Sequence, residues 1–342
     1  MAKWENWPHV LDARQFKEKE VLNDLFQQAN EMKRVTDKGV KCKYLESKTL
    51  ACLFYEESTR TRFSFERAML GLGGNVMSTE DAEKFSSASK GESLRDSIKT
   101  IAKYSDVIAL RTAKEGSANE AASVSNVPIM NAGDGGDQHP TQALLDIYTI
   151  NRAIGRIDGL KVAMVGSLKD GRTVRSLAYI LAHRDGNELV FVSTPEMGMK
   201  DDIKSYLRDE KRMPFSETEE LADAVRDVDV VYMTRYQFNR LPAYIEAEKE
   251  LDRLEKGKAE PAEIEKLRAR IAEIRDGYRG RFTLTPEIVG RMRKGSIIMH
   301  PLPRNYELPE EIDQDHRSVY FDEVENGLYM RMALLDRSLR ND

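Results

Sequence analysis

The chain has 342 residues, more than one hydrophobic core usually organises, so two domains are expected. Hydrophobic residues make up 40% and charged residues 32%, and no run approaches the roughly 18 uninterrupted apolar residues of a spanning helix, which excludes a membrane-embedded chain. Fifty-eight acidic against 53 basic residues leave a net charge of −5, so a nucleic-acid partner is not expected and any bound anion must be gripped by a local cluster of arginines.

The opening MAKWENWPHVLDARQF lacks the basic-then-apolar pattern of a secretion signal, and Cys42 and Cys52 are the only cysteines. A cytoplasmic setting with both kept as thiols is the expectation. Val21, Leu22, Leu25, Phe26, Ala29 and Met32 then fall on one face of a helix. TLACLFY (49–55) reads as a strand, followed by a polar break and a helix, RFSFERAMLGLGG, closed by glycines. Further short apolar runs start at Asp106, Val127, Lys161, Glu188, Val228 and Gly295, with helical patterns between most of them. Apolar strands alternating with amphipathic helices specify parallel sheets covered on both faces. The expected fold is therefore α/β, with two doubly wound parallel-sheet domains joined by a bridging helix that starts near Thr141. A charge-dense stretch at 242–281 has apolar residues at intervals of three and four around a GKAEP turn, which predicts a helical-hairpin insert with its seam packed on itself.

Three strand ends carry residues suited to chemistry. Ser58, Thr59, Arg60, Thr61 and Arg62 stand where a strand gives way to a helix. Two readings are open there: a helix cap, or a phosphate seat that uses the unpaired N–H groups and the dipole. GDGGDQHPTQ (133–142) brings His139 and Gln142 within one helical turn of each other after a strand, at the end of a sheet where ligands bind. HPLPR (300–304) stiffens the exit from another strand and leaves carbonyls free to accept. Arg111, Arg172 and Arg235, the last with Gln237, recur at equivalent strand ends, which suggests a substrate with several negative groups. No Walker loop is present, GSLKDGRT lacks the dinucleotide fingerprint, and the five histidines show no metal-ligand spacing.

FYEESTRTRFSFE, GDGGDQHPTQALLD, LKDGRTVRSL, MTRYQ and HPLPR occur in the order found in the aspartate/ornithine carbamoyltransferase family, and the chain resembles that family's aspartate-using catalytic chains from the first helix to NGLYMRMALLDRSL, the insert excepted. The resemblance implies carbamoyl transfer from carbamoyl phosphate to the α-amine of L-aspartate in pyrimidine biosynthesis, without cofactor or metal; the alternative is a related carbamoyltransferase with another amine acceptor. Ser58, Thr59, Arg60 and Thr61 match the phosphate-holding residues, and Thr61, Arg111 and His139 those around the carbamoyl oxygen. Gln142 and the backbone of Pro301, Leu302 and Pro303 match acceptors from the carbamoyl NH2. Arg172, Arg235 and Gln237 match the grip on aspartate. Ser86 and Lys90 match a loop that reaches a neighbouring subunit's site, which implies a homotrimer, with regulatory chains possible. A carbamoyl-phosphate domain at 1–141, completed by a C-terminal helix at 327–342, and an aspartate domain at 142–326 are expected. Glu57 departs from the family's usual small residue and is expected to face solvent.

Overall fold

The computed structural model describes residues 9–39, 42–80, 91–257 and 259–340. Along the chain run α1 (Lys19–Asp37), β1 (Thr49–Phe54), α2 (Thr59–Gly71), β2 (Asn75–Thr79), α3 (Leu94–Ile101), β3 (Val107–Thr112), α4 (Ser117–Ala122), β4 (Ile129–Asp134) and α5 (Pro140–Ile154). β5 (Lys161–Val165), α6 (Arg172–Leu181), β6 (Glu188–Val192), α7 (Asp201–Ser205), β7 (Phe215–Thr218), α8 (Leu221–Ala224) and β8 (Val230–Met233) follow. The chain closes with α9 (Pro242–Lys256), α10 (Pro261–Phe282), α11 (Pro286–Val289), β9 (Ile297–Met299) and α12 (Tyr320–Leu339). No helix among the described residues is long and apolar enough to cross a membrane.

Two compact units divide these elements. The first comprises residues 1–157, 172–185 and 321–342. Its sheet is parallel, in the order β2-β1-β3-β4, so the strand order reverses between β1 and β3. That reversal opens a crevice at the carboxyl ends of the two strands, the usual ligand position in such sheets. Phe54, the last residue of β1, pairs in register with Arg111 of β3. The apolar face of α1 is buried as its period predicts. Phe26 lies 5.5 Å from the Tyr148 ring of α5, and burying a ring of this size contributes roughly 1.5–3 kcal/mol. Tyr148 keeps its hydroxyl satisfied by donating to Asn30 Oδ1 at 2.8 Å.

The second unit comprises residues 158–171 and 186–320. Its parallel sheet runs β7-β6-β5-β8-β9 and reverses between β5 and β8. The hairpin of α9 and α10 closes on Ala247, Leu267 and Ile271, flanked by Tyr244, Leu251 and Leu254. The end of α10 leaves that seam: Phe282 is buried in the main core of the unit, with Ile274 and Tyr278 packed against it. The insert is thus anchored at its C-terminal end.

The domain boundary falls after Ile157 rather than at Thr141. Every residue from Pro140 to Ile150 is buried, Asp146 and Thr149 included, so α5 is a core helix of the first unit. It ends at Gly155, whose φ of 84° supplies the left-handed cap. The first unit also takes α6, and it regains the chain from Phe321, earlier than residue 327.

Candidate active site

In the first unit, β1 runs into α2 through Tyr55, Glu56, Glu57 and Ser58. Ser58 is the residue before the helix, yet its side chain makes no capping hydrogen bond. Thr59 and Arg60 are exposed, whereas Thr61 is buried. The side chain of Ser58 is therefore not spent on a cap, and the N–H groups of the first turn keep the capacity to hold an anion. Arg62 is committed elsewhere, with Nη2 at 2.8 Å from Glu80 and Nη1 at 3.8 Å from Glu66. Glu57 is exposed.

Glu56, the strand-end carboxylate not singled out by the sequence reading, is the hub of the site. Its Oε2 lies 3.1 Å from Arg111 Nε and 3.2 Å from Arg172 Nη2. Arg172, at the first position of α6, also donates through Nη1 to Gly135 O at 2.8 Å. Gly133, at φ 125°, leaves room for both guanidiniums, since a Cβ there would stand 3.2 Å from Arg111 Nη1 and 3.2 Å from Arg172 Cζ. Burial, then repulsion from Arg172, hold Arg111 down at about 10, with Glu56 acting in the opposite sense. Two cations converging on one carboxylate keep a positive surplus where an anionic substrate could replace part of that pairing.

His139 is 4% exposed and directly precedes α5. Its backbone N–H donates to Ser176 Oγ at 2.9 Å, and that hydroxyl donates to Gln138 Oε1 at 2.9 Å. Nδ1 has no hydrogen-bond partner among the described residues. Burial first, then the nearby Arg172, Arg111 and Arg331, hold the imidazole well below its usual range, so it is neutral at pH 7. A neutral imidazole can donate one N–H to a developing oxyanion without being an acid itself. Gln142, one turn on, donates through Nε2 to Asp146 Oδ1 at 2.9 Å and to Glu323 Oε1 at 3.2 Å.

In the second unit the β5/β8 reversal carries the other candidates. Arg235 is exposed, Tyr236 buried and Gln237 half-buried, so alternate side chains leave the core. Gln237 N donates to Ser167 Oγ at 2.7 Å, which ties the segment to the end of β5. Tyr236 stacks on Tyr278 at 5.2 Å and on Phe282 at 4.9 Å, and its carbonyl accepts from Tyr306 at 2.9 Å. After β9, His300 is fixed in one tautomer: Nδ1 accepts from Leu302 N at 2.8 Å, so Nε2 carries the proton toward Glu307 Oε1 at 3.0 Å. Burial lowers its pKa despite that carboxylate. The lock holds Pro301, Leu302 and Pro303 in a turn where Leu302 has φ 54°. Arg304 of the same motif is taken up by Asp313 and by the Tyr320 hydroxyl at 3.2 Å.

Ser58, Thr59, Arg60, Thr61, Arg111, His139, Gln142 and Arg172 thus lie in the first unit, and Arg235, Gln237 and Pro301 to Pro303 in the second. Arg172 had been expected in the aspartate domain; the crossing of α6 moves it to the first unit beside Arg111. Ser86 and Lys90 lie outside the described residues. Glu56 was marked by its strand-end position, like the arginines. Glu323 and Glu307 carried no local signal, because the side chains they meet are set by tertiary structure. Among the described residues no three His, Cys, Asp or Glu side chains converge as a metal site.

Residues 8–152 match the aspartate/ornithine carbamoyltransferase carbamoyl-P binding domain, and residues 158–337 match the same family's Asp/Orn binding domain. Aspartate carbamoyltransferase 3, chloroplastic, of Pisum sativum is 44% identical over 326 residues, 95% of this chain and 76% of that protein. The aspartate carbamoyltransferase catalytic subunit of Methanocaldococcus jannaschii is 41% identical over 98% of both chains. The crystal structure of aspartate transcarbamoylase from Trypanosoma cruzi in complex with N-(phosphonacetyl)-L-aspartic acid superposes with a TM-score of 0.83 at 33% identity, covering 97% of this chain and 96% of that one.

Proposed function

The chain belongs to the aspartate/ornithine carbamoyltransferase family, and from that premise we propose that it transfers the carbamoyl group of carbamoyl phosphate to the α-amine of L-aspartate, giving N-carbamoyl-L-aspartate and phosphate. The observation that carries this reading is the pair of sheet reversals, each with its own anion grip. In one unit an uncapped helix start follows β1, whose last residue pairs with Arg111, and in the other Arg235 and Gln237 follow β8. Two small anionic substrates need two such grips. The resemblance to a protein crystallised with a phosphonacetyl-aspartate supports the same pairing of substrates.

In this reading the neutral amine of aspartate attacks the carbamoyl carbon. A C–N bond forms, the C–O bond to phosphate breaks, and the departing phosphate takes the amine proton. Ser58, Thr59, Arg60 and Thr61 hold the phosphate, and Arg111 with neutral His139 stabilises the oxyanion. Gln142 and the Pro301 to Pro303 backbone accept from the carbamoyl NH2. Arg172, Arg235 and Gln237 hold the aspartate carboxylates. Positioning and charge stabilisation supply the rate, with no protein nucleophile. Ser86 and Lys90 complete the site of a neighbouring subunit in a homotrimer. Regulatory chains are a further partner class, in line with relatives named as catalytic subunits. A cytoplasmic compartment is the one we favour, since Cys42 and Cys52 are both free and buried; relatives include chloroplastic enzymes.

Phosphate release from carbamoyl phosphate, measured with a panel of amino acids, tests the assignment. Release dependent on aspartate is the expected result. Release only with ornithine or another amine would leave the reaction class and overturn the acceptor.

A further inference from the structure

Gln142 is held by two buried carboxylates at once. Asp146 is fully buried and Glu323 is 2% exposed, and each accepts one hydrogen from the same amide nitrogen, at 2.9 and 3.2 Å. A carboxylate offers only acceptor oxygens, so a reversed amide would set oxygen against oxygen on both sides. The two groups therefore fix the sense of the amide. With the nitrogen occupied by both of them, Oε1 is the end of the amide left to accept from another group. One of the pair comes from the next turn of α5 and the other from α12, so no rearrangement of a single helix frees the nitrogen. The Asp146 charge is set against Arg331, a buried cation whose Nη1 donates to Ser64 Oγ of α2 at 2.9 Å. Holding two helices together would require only one hydrogen bond of either polarity. Two carboxylates on one NH2 do more, because they leave the outward face of Gln142 an acceptor and nothing else.

We infer that Asp146 and Glu323 are positioning residues that present Gln142 Oε1 as a fixed acceptor and thereby set the preference of the site for a donor bearing NH2 over one bearing methyl. The inference rests on the carbamoyl-transfer reading, in which Gln142 faces the carbamoyl group. Carbamoyl phosphate and acetyl phosphate differ only by NH2 against CH3, so their ratio reports the acceptor directly. A site built to bond an NH group discriminates strongly against an analogue lacking it.

The test compares kcat/KM for carbamoyl phosphate with the inhibition constant of acetyl phosphate in the wild type, in Asp146→Asn/Glu323→Gln, and in Gln142→Met. With neutral amides behind it, Gln142 can turn either way. An amide free to take either sense presents its oxygen about half of the time, so the preference should fall about twofold, while acetyl phosphate affinity stays unchanged. Gln142→Met removes the acceptor altogether and should lower the preference about fivefold to tenfold, as expected for one net hydrogen bond, and adding the double change to it should produce no further loss. A double variant that weakens both ligands by the same factor would show that the carboxylates only brace α5 against α12, and would overturn the inference. So would a Gln142→Met protein with unaltered preference. Should the double variant not fold, Glu323→Gln alone is read by the same ratio, with a smaller fall in the same direction supporting the inference and an unchanged ratio opposing it. A wild type that releases no phosphate from carbamoyl phosphate with any acceptor overturns the parent reading as well, whereas an active wild type with unmoved variants overturns this inference alone.

Discussion

Glu56 and the two arginines around it show how one carboxylate tunes a site otherwise made of cations. Arg111 sits at about 10 because burial and Arg172 disfavour its charge, and Glu56 offsets part of this. Inorganic phosphate, a dianion above about pH 8, should therefore bind with constant affinity from there and lose it above about pH 10, as the Arg111 cation near Arg60 of the phosphate seat is discharged. Glu56→Gln removes the charge that favours the cation, so the alkaline loss should move to lower pH. Competitive inhibition by phosphate, followed from about pH 8 to about pH 11, measures it; an unmoved limb would show that Glu56 does not set the charge state of Arg111. His139 gives the acid counterpart. Its folded-state pKa is depressed, so the unfolded chain takes up a proton first as pH falls. The contribution to stability is intact above about 6.5 and is lost below it, by at most about 1.4 kcal/mol per pH unit for this one group. Urea midpoints measured across that range should fall more shallowly for His139→Gln than for the wild type. His139 and the arginines were legible in the sequence because each ends a strand or starts a helix. The depressed imidazole was not, since it depends first on burial and then on Arg172, Arg111 and Arg331, which only the fold brings about.

Among the elements, the strands that escaped the sequence reading are β2 and β7, and both are sheet edges. Their residues, NVMST and FSET, are all exposed or half-buried, so the continuous apolar run that marks a buried parallel strand is absent. The hairpin was legible from its seam, but its anchorage was not, because Tyr278 and Phe282 lie beyond the heptad-like interval and their partner is Tyr236, far back in the chain. That anchorage gives the insert a definite reach. Tyr236 stands between Arg235 and Gln237, and Tyr278 and Phe282 stack on it. Aromatic pairs contribute about 0.5–1.5 kcal/mol beyond burial, enough to hold a loop in one arrangement. Tyr278→Ala should therefore raise KM for aspartate about threefold to tenfold while leaving KM for carbamoyl phosphate unchanged. Initial velocities with each substrate varied in turn decide the matter; equal increases in both constants would mean that the stack serves stability and not the acceptor arm.

At the scale of the whole molecule, a net charge of −5 coexists with arginines gathered at the ends of two sheets. Composition could exclude a broad positive field but could not locate those arginines. Each unit buries its own core, and neither sheet shares a strand with the other. The division of labour between them follows from which strand ends carry which residues, and Arg172 breaks the simple partition because α6 is grouped with the first unit. If Ser86 and Lys90 act on a neighbour's substrates, the catalytic unit is larger than the chain. A subunit lacking Lys90 would then disable the adjoining site while keeping its own Arg111 intact. Mixing inactive Lys90→Gln chains with inactive Arg111→Met chains under dissociating conditions, then restoring them, should regenerate activity. In a randomly reassorted 1:1 cyclic trimer about a quarter of the sites take both groups from unaltered contributors, so about a quarter of wild-type turnover should return. Variants that remain inactive together while forming mixed trimers, verified by mass, would place Lys90 in the site of its own chain. The recovered fraction also depends on the closed ring: open chains or dimers would return less, since their end sites lack a neighbour. One titration of mixing ratio against activity thus reads both the sharing of the site and the symmetry of the assembly.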